Sequence, residues 1–395
     1  MTTLMKARLV YSGMPVPPRI PDEMGTPKDT QFQGTPREQT AELCGRVCYD
    51  SLGKGRDSLA YHQHIHEVGH YSVYEHTPIT VSLRVASKEY VSAVLAILVN
   101  RPGVWTHVSV EDVIGVHTIR ITINFRALIE WDTWPVQPYL VGSPVRPAAL
   151  GESLRVAGHQ AAPMIVPRYE TQSIGGVLFE DARIVEPVHP EEQWVTLFLS
   201  GSRGFSHEQV RHGDSTAISQ RSTRYVDESE SRWVVHPLIE QYCVDQGVSL
   251  DAFEFIDTMD GPDNPPQTHP PTNAKRLYDQ TVACLQAWML DKGIDKFNAR
   301  KQARGAARGY LGNALLTEML FSANVRQWHL MIGQRASQFA DAEIRQVYAD
   351  PTDGVIAALK QSQYGDQFQC YELEPAPDGI GHVAVRSDTK ANADG

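Results

Sequence analysis

Between Arg203 and Tyr225 the chain concentrates four arginines (Arg203, Arg211, Arg221, Arg224) and two histidines (His207, His212), with Ser215, Ser219 and Ser222 interleaved. Guanidiniums stay charged at physiological pH, so such a stretch cannot enter an apolar core without partners. It has to lie at a site for an anion or on a solvated face. Arginine's planar fork of donors suits a phosphate or carboxylate, and hydroxyls add further donors to the same oxygens. Against a formal net charge of −11, a cationic island points to a small anionic ligand rather than a polyanion. The plainer alternative is a helix face whose arginines pair with Asp227, Glu228 and Glu230. The residues alone leave both open.

The rest of the composition narrows the class. With 395 residues, 42% apolar and 21% charged, the chain has the makings of a soluble globular protein with one large or two ordinary domains. A pI near 5.7 argues against a general nucleic-acid binder. Without a run of 18 apolar residues, no membrane span is expected, and the N-terminal residues do not read as a signal peptide. The five cysteines (Cys44, Cys48, Cys243, Cys284, Cys370) are odd in number and contain no CxxC pair. Neither a disulfide framework nor a metal site is expected, and a reducing cytoplasm is the natural setting.

Along the chain, residues 7–11 read as a short strand. Thr35-Pro36 with Glu38 reads as a capping box opening a helix that ends near Tyr49. A second helix is expected over 58–68, an alternating strand over 79–85, a helix over 87–100 and another strand over 117–125. Residues 133–190, rich in proline, read as a loop-rich insertion with a short strand at 176–179. A strand at 194–200 leads through a glycine turn into the arginine stretch, read as helical. An amphipathic helix is expected over 275–290, with Leu277, Thr281, Leu285 and Trp288 or Met289 on one face and Gly293 ending it. A basic helix over 298–309, a long helix over 315–339 and another over 341–348 follow. Residues 371–395 read as a mobile tail. No period of repetition stands out, although residues 122–126 (TINFR) loosely echo 322–326 (SANVR).

Three blocks together resemble the flavin-dependent thymidylate synthases (the ThyX type). Residues 69–76 (GHYSVYEH) look like that family's His-x-Ser-x-x-Glu-His segment. Residues 199–212 (LSGSRGFSHEQVRH), continuing to 222–225 (STRY), resemble its signature. Arg308, Asn324, Arg326 and Arg335, with 343–346 (EIRQ), are similar to its C-terminal helix. The resemblance implies an α+β fold, an antiparallel or mixed sheet packed with long helices. It makes residues 1–370 a single catalytic domain extended by an insertion at about 86–193, and the insertion itself could extend the sheet. The departures are local. Gly213 stands where the family has a second arginine, and eight residues (214–221) precede Ser222 where the family has seven. Gly213 is the residue type that could absorb the extra one. Ser219-Gln220 replaces Asn-Glu, Glu208 replaces a glutamine, and Phe339 replaces a histidine.

By resemblance, Arg224, Arg308 and Ser222 hold the nucleotide phosphate, Glu208 and Gln220 lie at the base, and Arg335 polarises the pyrimidine ring. Arg335 and Ser222 are thus the catalytic pair, with Ser222 not cast as a nucleophile. His70, Ser72, Arg211, His212, Asn324 and Arg326 match flavin-contacting positions, and Glu75 and His76 follow the same logic less strongly. No cysteine lies in these blocks, which argues against a covalent thiolate route. The implied activity is C5 methylation of dUMP to dTMP, with FAD, NADPH and methylenetetrahydrofolate, in a homotetramer. Two alternatives remain: a relative acting on dCMP or transferring a hydroxymethyl group, and a degenerate nucleotide-binding protein without redox chemistry.

Overall fold

The computed structural model describes residues 5–13, 16–24, 30–85, 87–99, 105–113, 116–131, 145, 147–167, 182–213, 215–228, 232–247, 249 and 272–387. Strand β1 (Lys6–Tyr11) is followed by helices α1 (Pro36–Cys48) and α2 (Ser58–Val68). The capping box is present: Thr35 accepts from the Glu38 amide, and the Glu38 carboxylate accepts from the Thr35 amide at 2.7 Å. Gly69 ends α2 in the left-handed region at φ 66°, the conformation glycine adopts without a Cβ penalty. A 3-10 turn (Tyr71–Glu75) then leads into β2 (Ile79–Val85), α3 (Lys88–Val99), β3 (Trp105–Val113), β4 (Val116–Ile123), α4 (Phe125–Ile129), α5 (Pro147–Ala161) and β5 (Arg183–Ile184).

The second half contains β6 (Trp194–Ser202), α6 (Arg203–Gln209), β7 (Thr216–Gln220), α7 (Pro237–Gln246), α8 (Thr272–Asp291) and α9 (Lys296–Ala307). It continues through β8 (Leu316–Asn324), α10 (Val325–Arg335), α11 (Ala342–Ala349), α12 (Val355–Lys360), β9 (Tyr371–Pro375) and β10 (His382–Arg386). One sheet runs β1-β6-β8-β7 and another β3-β4-β2-β5, while β9 pairs with β10. The recorded pairs are antiparallel. The fold is α+β, as the resemblance implied.

Several expectations need correction. Residues 316–324 form a strand, not the start of a long helix: β8 is covered on both faces, so its apolar residues do not alternate strictly and period does not tell it from a helix. Part of the arginine stretch, Thr216–Gln220, is likewise a strand, β7. The insertion extends a sheet as expected, but that of β2 and not that of β6 and β8. Its strands join β2 in the second sheet, and α5 occupies ground read as loop. The strand expected at 176–179 falls outside the described residues. Most of the expected tail is the β9–β10 hairpin, held by buried Tyr371. On α8, Tyr278 and Met289 are buried, whereas Leu277 and Trp288 of the expected apolar face are exposed.

Apolar side chains fill the space between the first sheet and α10 to α12, and Leu43, Cys44 and Val47 of α1 cover that sheet's other face. A separate cluster joins the second sheet to α3, α4 and α5. His76 ties the turn before β2 to the first sheet. Its Nδ1 lies 2.7 Å from Ser322 Oγ and its Nε2 2.9 Å from Ser219 Oγ. A neutral imidazole can donate with one nitrogen and accept with the other.

Complete burial pushes the His76 pKa down to about 3. An unfolded histidine takes up its proton near pH 6.5. The stabilisation is therefore intact above about pH 6.5 and is lost as pH falls towards 3, at up to about 1.4 kcal/mol per pH unit. Urea unfolding at pH 7 and pH 4.5 should show a larger loss of stability for the native protein than for His76→Gln. Equal losses would show that His76 is not a source of the acid sensitivity.

Candidate active site

Ser202 opens α6 by accepting from the Phe205 amide, and Glu343 of α11 holds it through its amide (2.8 Å) and hydroxyl (2.7 Å). The start of α6 is thereby tied to α11, and at its other end three of the expected site residues meet. Arg335 donates from Nη1 to Glu208 Oε2 (2.7 Å), from Nη2 to the Glu208 carbonyl (3.2 Å) and from Nε to His212 Nε2 (2.9 Å). A guanidinium only donates, so His212 Nε2 must keep its lone pair and the proton sits on Nδ1. Burial, reinforced by the Arg335 charge, lowers the His212 pKa. Gln220 at the end of β7 donates to Ser206 Oγ and Thr317 Oγ1, each at 3.0 Å. That fixes its amide nitrogen between α6 and β8 and leaves its carbonyl oxygen to accept.

A second group gathers where residues 222–228 cross α9. The Ser222 amide donates to the Cys48 carbonyl, and the Arg224 amide reaches Ser222 Oγ at 3.4 Å. Arg224 packs on Gly305, where a Cβ would come within 3.7 Å of its Cγ. Arg308 lies three residues further, on the same side of the helix. Burial lowers the Arg203 pKa, Glu228 opposes that shift, and neighbouring Arg308 adds to it. Among the described residues Arg203, Arg211, Arg224 and Arg308 form no ion pair. Arg221 is ion-paired, but with Glu318 of β8 at 3.7 Å rather than with Asp227, Glu228 or Glu230, and Asp227 is taken by Arg304.

Aromatic rings extend this group. Tyr225 lies edge-on to Tyr49 with ring centroids 4.8 Å apart, and the Tyr49 hydroxyl is 2.9 Å from His70 Nδ1. Lys301 sits 4.8 Å from the Tyr225 ring centroid. Burial pushes the Tyr49 hydroxyl up to about 12, so it remains a donor. His70 and the half-buried Ser72 thus border the arginine cleft. Tyr49, Tyr225 and Lys301 were not foreseen, although the adjacency of Tyr225 to Arg224 was a usable signal.

The remaining expected residues sit elsewhere. Asn324 caps α10, accepting from the Gln327 amide and donating to the Glu191 carbonyl at 3.3 Å. Arg326 reaches Glu191 at 3.3 Å, with 75% of its side chain exposed. No described contact joins these two to His70. Phe339 is 88% exposed. Gly213 is not the bend: Ser215, at φ 53°, takes the left-handed turn. A Cβ at Gly213 would meet nothing within 4 Å, so sterics do not forbid a side chain there. No helix among the described residues is long and apolar enough to cross a membrane, and no metal-binding cluster occurs among them.

This is an α+β protein with a cationic group flanked by aromatic rings beside α9 and a partly buried Arg–Glu–His group beside α6. Its second half is similar to the flavin-dependent thymidylate synthases (ThyX). Residues 189–353 match the family model of the thymidylate synthase complementing protein. A flavin-dependent thymidylate synthase from Mycolicibacterium gilvum is 32% identical over 191 residues, 48% of this chain and 66% of that protein. One from Mycobacterium bovis is 35% identical over 161 residues, 40% and 55% respectively. The chain thus spans less than two thirds of the length of these relatives. A crystal structure of ThyX from Helicobacter pylori with FAD and dUMP is 19% identical, covering 45% of this chain and 74% of that one, with a TM-score of 0.24. At that score the superposition carries no argument.

Because Gln220 bridges two elements, Gln220→Leu should lower the unfolding free energy by about 1–2 kcal/mol. Urea unfolding checks this, and an unchanged midpoint would refute the bridge.

Proposed function

We propose that the protein is a flavin-dependent enzyme that methylates C5 of a pyrimidine deoxynucleotide, converting dUMP to dTMP. The observation that carries this reading is a set of guanidiniums without an ion pair among the described residues: Arg203 neighbours Arg308, and Arg224, whose amide reaches Ser222 Oγ, packs on Gly305 one turn before Arg308. Forked donors with an adjacent hydroxyl suit a phosphate monoester. Arg335, held by Glu208 and His212, takes the role of polarising the pyrimidine ring, since a fixed cation stabilises negative charge developing on the base. Gln220 offers its free carbonyl oxygen to the ring's N–H. Ser222 positions the phosphate and is not a nucleophile.

FAD fits the donor set. Arg211 and Arg326 are exposed, His70 and Ser72 are half-buried, and His212 presents Nδ1–H. Asn324 keeps one amide hydrogen beyond its two recorded bonds. These residues would bind the pyrimidine edge and diphosphate and set the ring's orientation. When bound, the flavin supplies the hydride for the reduction. By family resemblance, methylenetetrahydrofolate is the carbon donor, NADPH the reductant, the assembly a homotetramer and the setting cytoplasmic.

A second reading is favoured by Glu208, whose carboxylate lies where the family has a glutamine. A carboxylate accepts from the amino group of cytosine, so dCMP, with methyl or hydroxymethyl transfer, is the competing substrate. Incubation with FAD, NADPH, methylenetetrahydrofolate and either dUMP or dCMP, followed by mass spectrometry, separates the outcomes. A mass gain of one methylene on dUMP is expected, and a gain on dCMP alone would overturn the dUMP assignment. Purified protein should be yellow and bleach with NADPH. Colourless protein that takes up no added FAD would leave only a nucleotide-binding role. Arg224→Ala should weaken dUMP binding by about tenfold or more, equivalent to about 1.4 kcal/mol, while FAD binding changes less than about twofold. Equal losses would refute the phosphate assignment.

A further inference from the structure

The two four-stranded sheets repeat one another residue by residue. In the first, Thr196 faces Ser322 across β6 and β8, and their buried hydroxyls bond at 2.7 Å. In the second, Thr80 faces Thr122 across β2 and β4, and theirs bond at 3.0 Å. Two residues after Ser322, Asn324 accepts from the Gln327 amide at 2.8 Å. Two after Thr122, Asn124 accepts from the Ala127 amide at 2.8 Å. Two further on, Arg326 Nη1 meets Glu191 Oε1 at 3.3 Å, and Arg126 Nη1 meets Glu75 Oε1 at 2.6 Å. Glu191 lies five residues before Thr196 and Glu75 five before Thr80.

The outer strands agree. Ser219 and Ser109 take the same register positions on β7 and β3. Residues 7–10 (ARLV) and 182–185 (ARIV) carry β1 and β5, with Leu9 opposite Leu197 and Ile184 opposite Val81. These first strands are exchanged: β1 completes the sheet of the second half, and β5 completes the sheet of the first. Chance likeness of two antiparallel sheets explains strand order, but not the same buried hydroxyl pair, asparagine cap and arginine–glutamate pair at matching positions.

The copies are not equivalent. Counting on from the matched strands β2 and β6, the positions of Glu208, Arg211 and His212 are held by Ser92, Leu95 and Ala96 on the apolar helix α3. The first copy therefore lacks counterparts of Glu208, Arg211 and His212. What it retains is Arg126, and α4 sets that side chain against the turn that carries His70 and Ser72. Glu75, the last residue of the turn, holds Nη1, and Glu130 holds Nε at 3.0 Å. Nη2 has no recorded partner, and 42% of the side chain is exposed. The Arg126 charge also helps to lower the His70 pKa, after burial. Arg326, in contrast, lies with Glu191, and no described contact links it to His70.

We propose that the chain is an internal duplication with exchanged first strands, and that Arg126 of the first copy is the cofactor-binding arginine of the His70 cleft, oriented by Glu75. The group it would meet is an anionic or carbonyl edge of the flavin, so the assignment rests on the flavin reading above. The test is FAD affinity measured by absorbance titration of full-length protein, with thermal unfolding in parallel. Arg126→Ala should weaken FAD binding about tenfold or more, and Arg126→Lys should restore it in part. Glu130→Gln loosens the same ion-pair group while keeping the guanidinium, and should change affinity less than about twofold. Wild-type protein that takes up no FAD overturns the flavin reading and this assignment together. Wild-type binding with Arg126→Ala unchanged overturns this assignment alone. So does an equal loss in Arg126→Ala and Glu130→Gln, which would mark a structural role.

Discussion

The cleft depends on a neutral imidazole. His76 bridges Ser219 of β7 and Ser322 of β8, and Ser322 also bonds Thr196 of β6. One ring therefore ties the turn that carries His70 and Ser72 to three strands of the sheet from which the arginine stretch departs. A charged imidazole would need two acceptors and a counterion in a fully buried place, and two serine hydroxyls with no carboxylate do not supply both. Hydrogen bonding without charge makes the contact directional, and it sets the distance between two halves of the cleft that are far apart in sequence.

Much of this was legible in the chain. The capping box at Thr35, the glycine stop at Gly69 and the alternation over 79–85 are local signals, and local rules decide them. Strand β8 was not legible, because a strand covered on both faces loses its alternation. The bend after His212 was misjudged for a similar reason. Glycine is the permissive residue, yet Ser215 takes the left-handed turn, and only the register of β7 against β8 reveals which residue must do so.

At the site, the sequence placed Glu208, His212 and Arg335 in a common region but not their mutual bonding, which depends on where α10 crosses α6. It also treated the arginines of the opening stretch as one group. The structure separates them: Arg221 serves an ion pair with Glu318, Arg211 stands free at the end of α6, and Arg203 and Arg224 join Arg308 from α9. The echo between residues 122–126 and 322–326 was visible as letters only. Its meaning lay in strand pairing, and the two helices α1 and α2, present before β2 and absent before β6, hide the repeat from any fixed period.

The exchange of first strands has a consequence for how the molecule is made. Lys6 lies opposite Ser200, so the first sheet waits for strands made much later in the chain, whereas the second is closed by Arg183 opposite Ser82, within the first half of the chain. The first strand to emerge has no sheet partner until β6, its single neighbour, has been made. Long loops must close before these pairings repay their entropy. The sheet of the second half therefore depends on the first strand of the chain, while the second sheet draws only on residues before 185. Assembly of the first sheet is thereby coupled to synthesis as far as β8, and a product truncated after β5 carries the second sheet together with an unpaired β1.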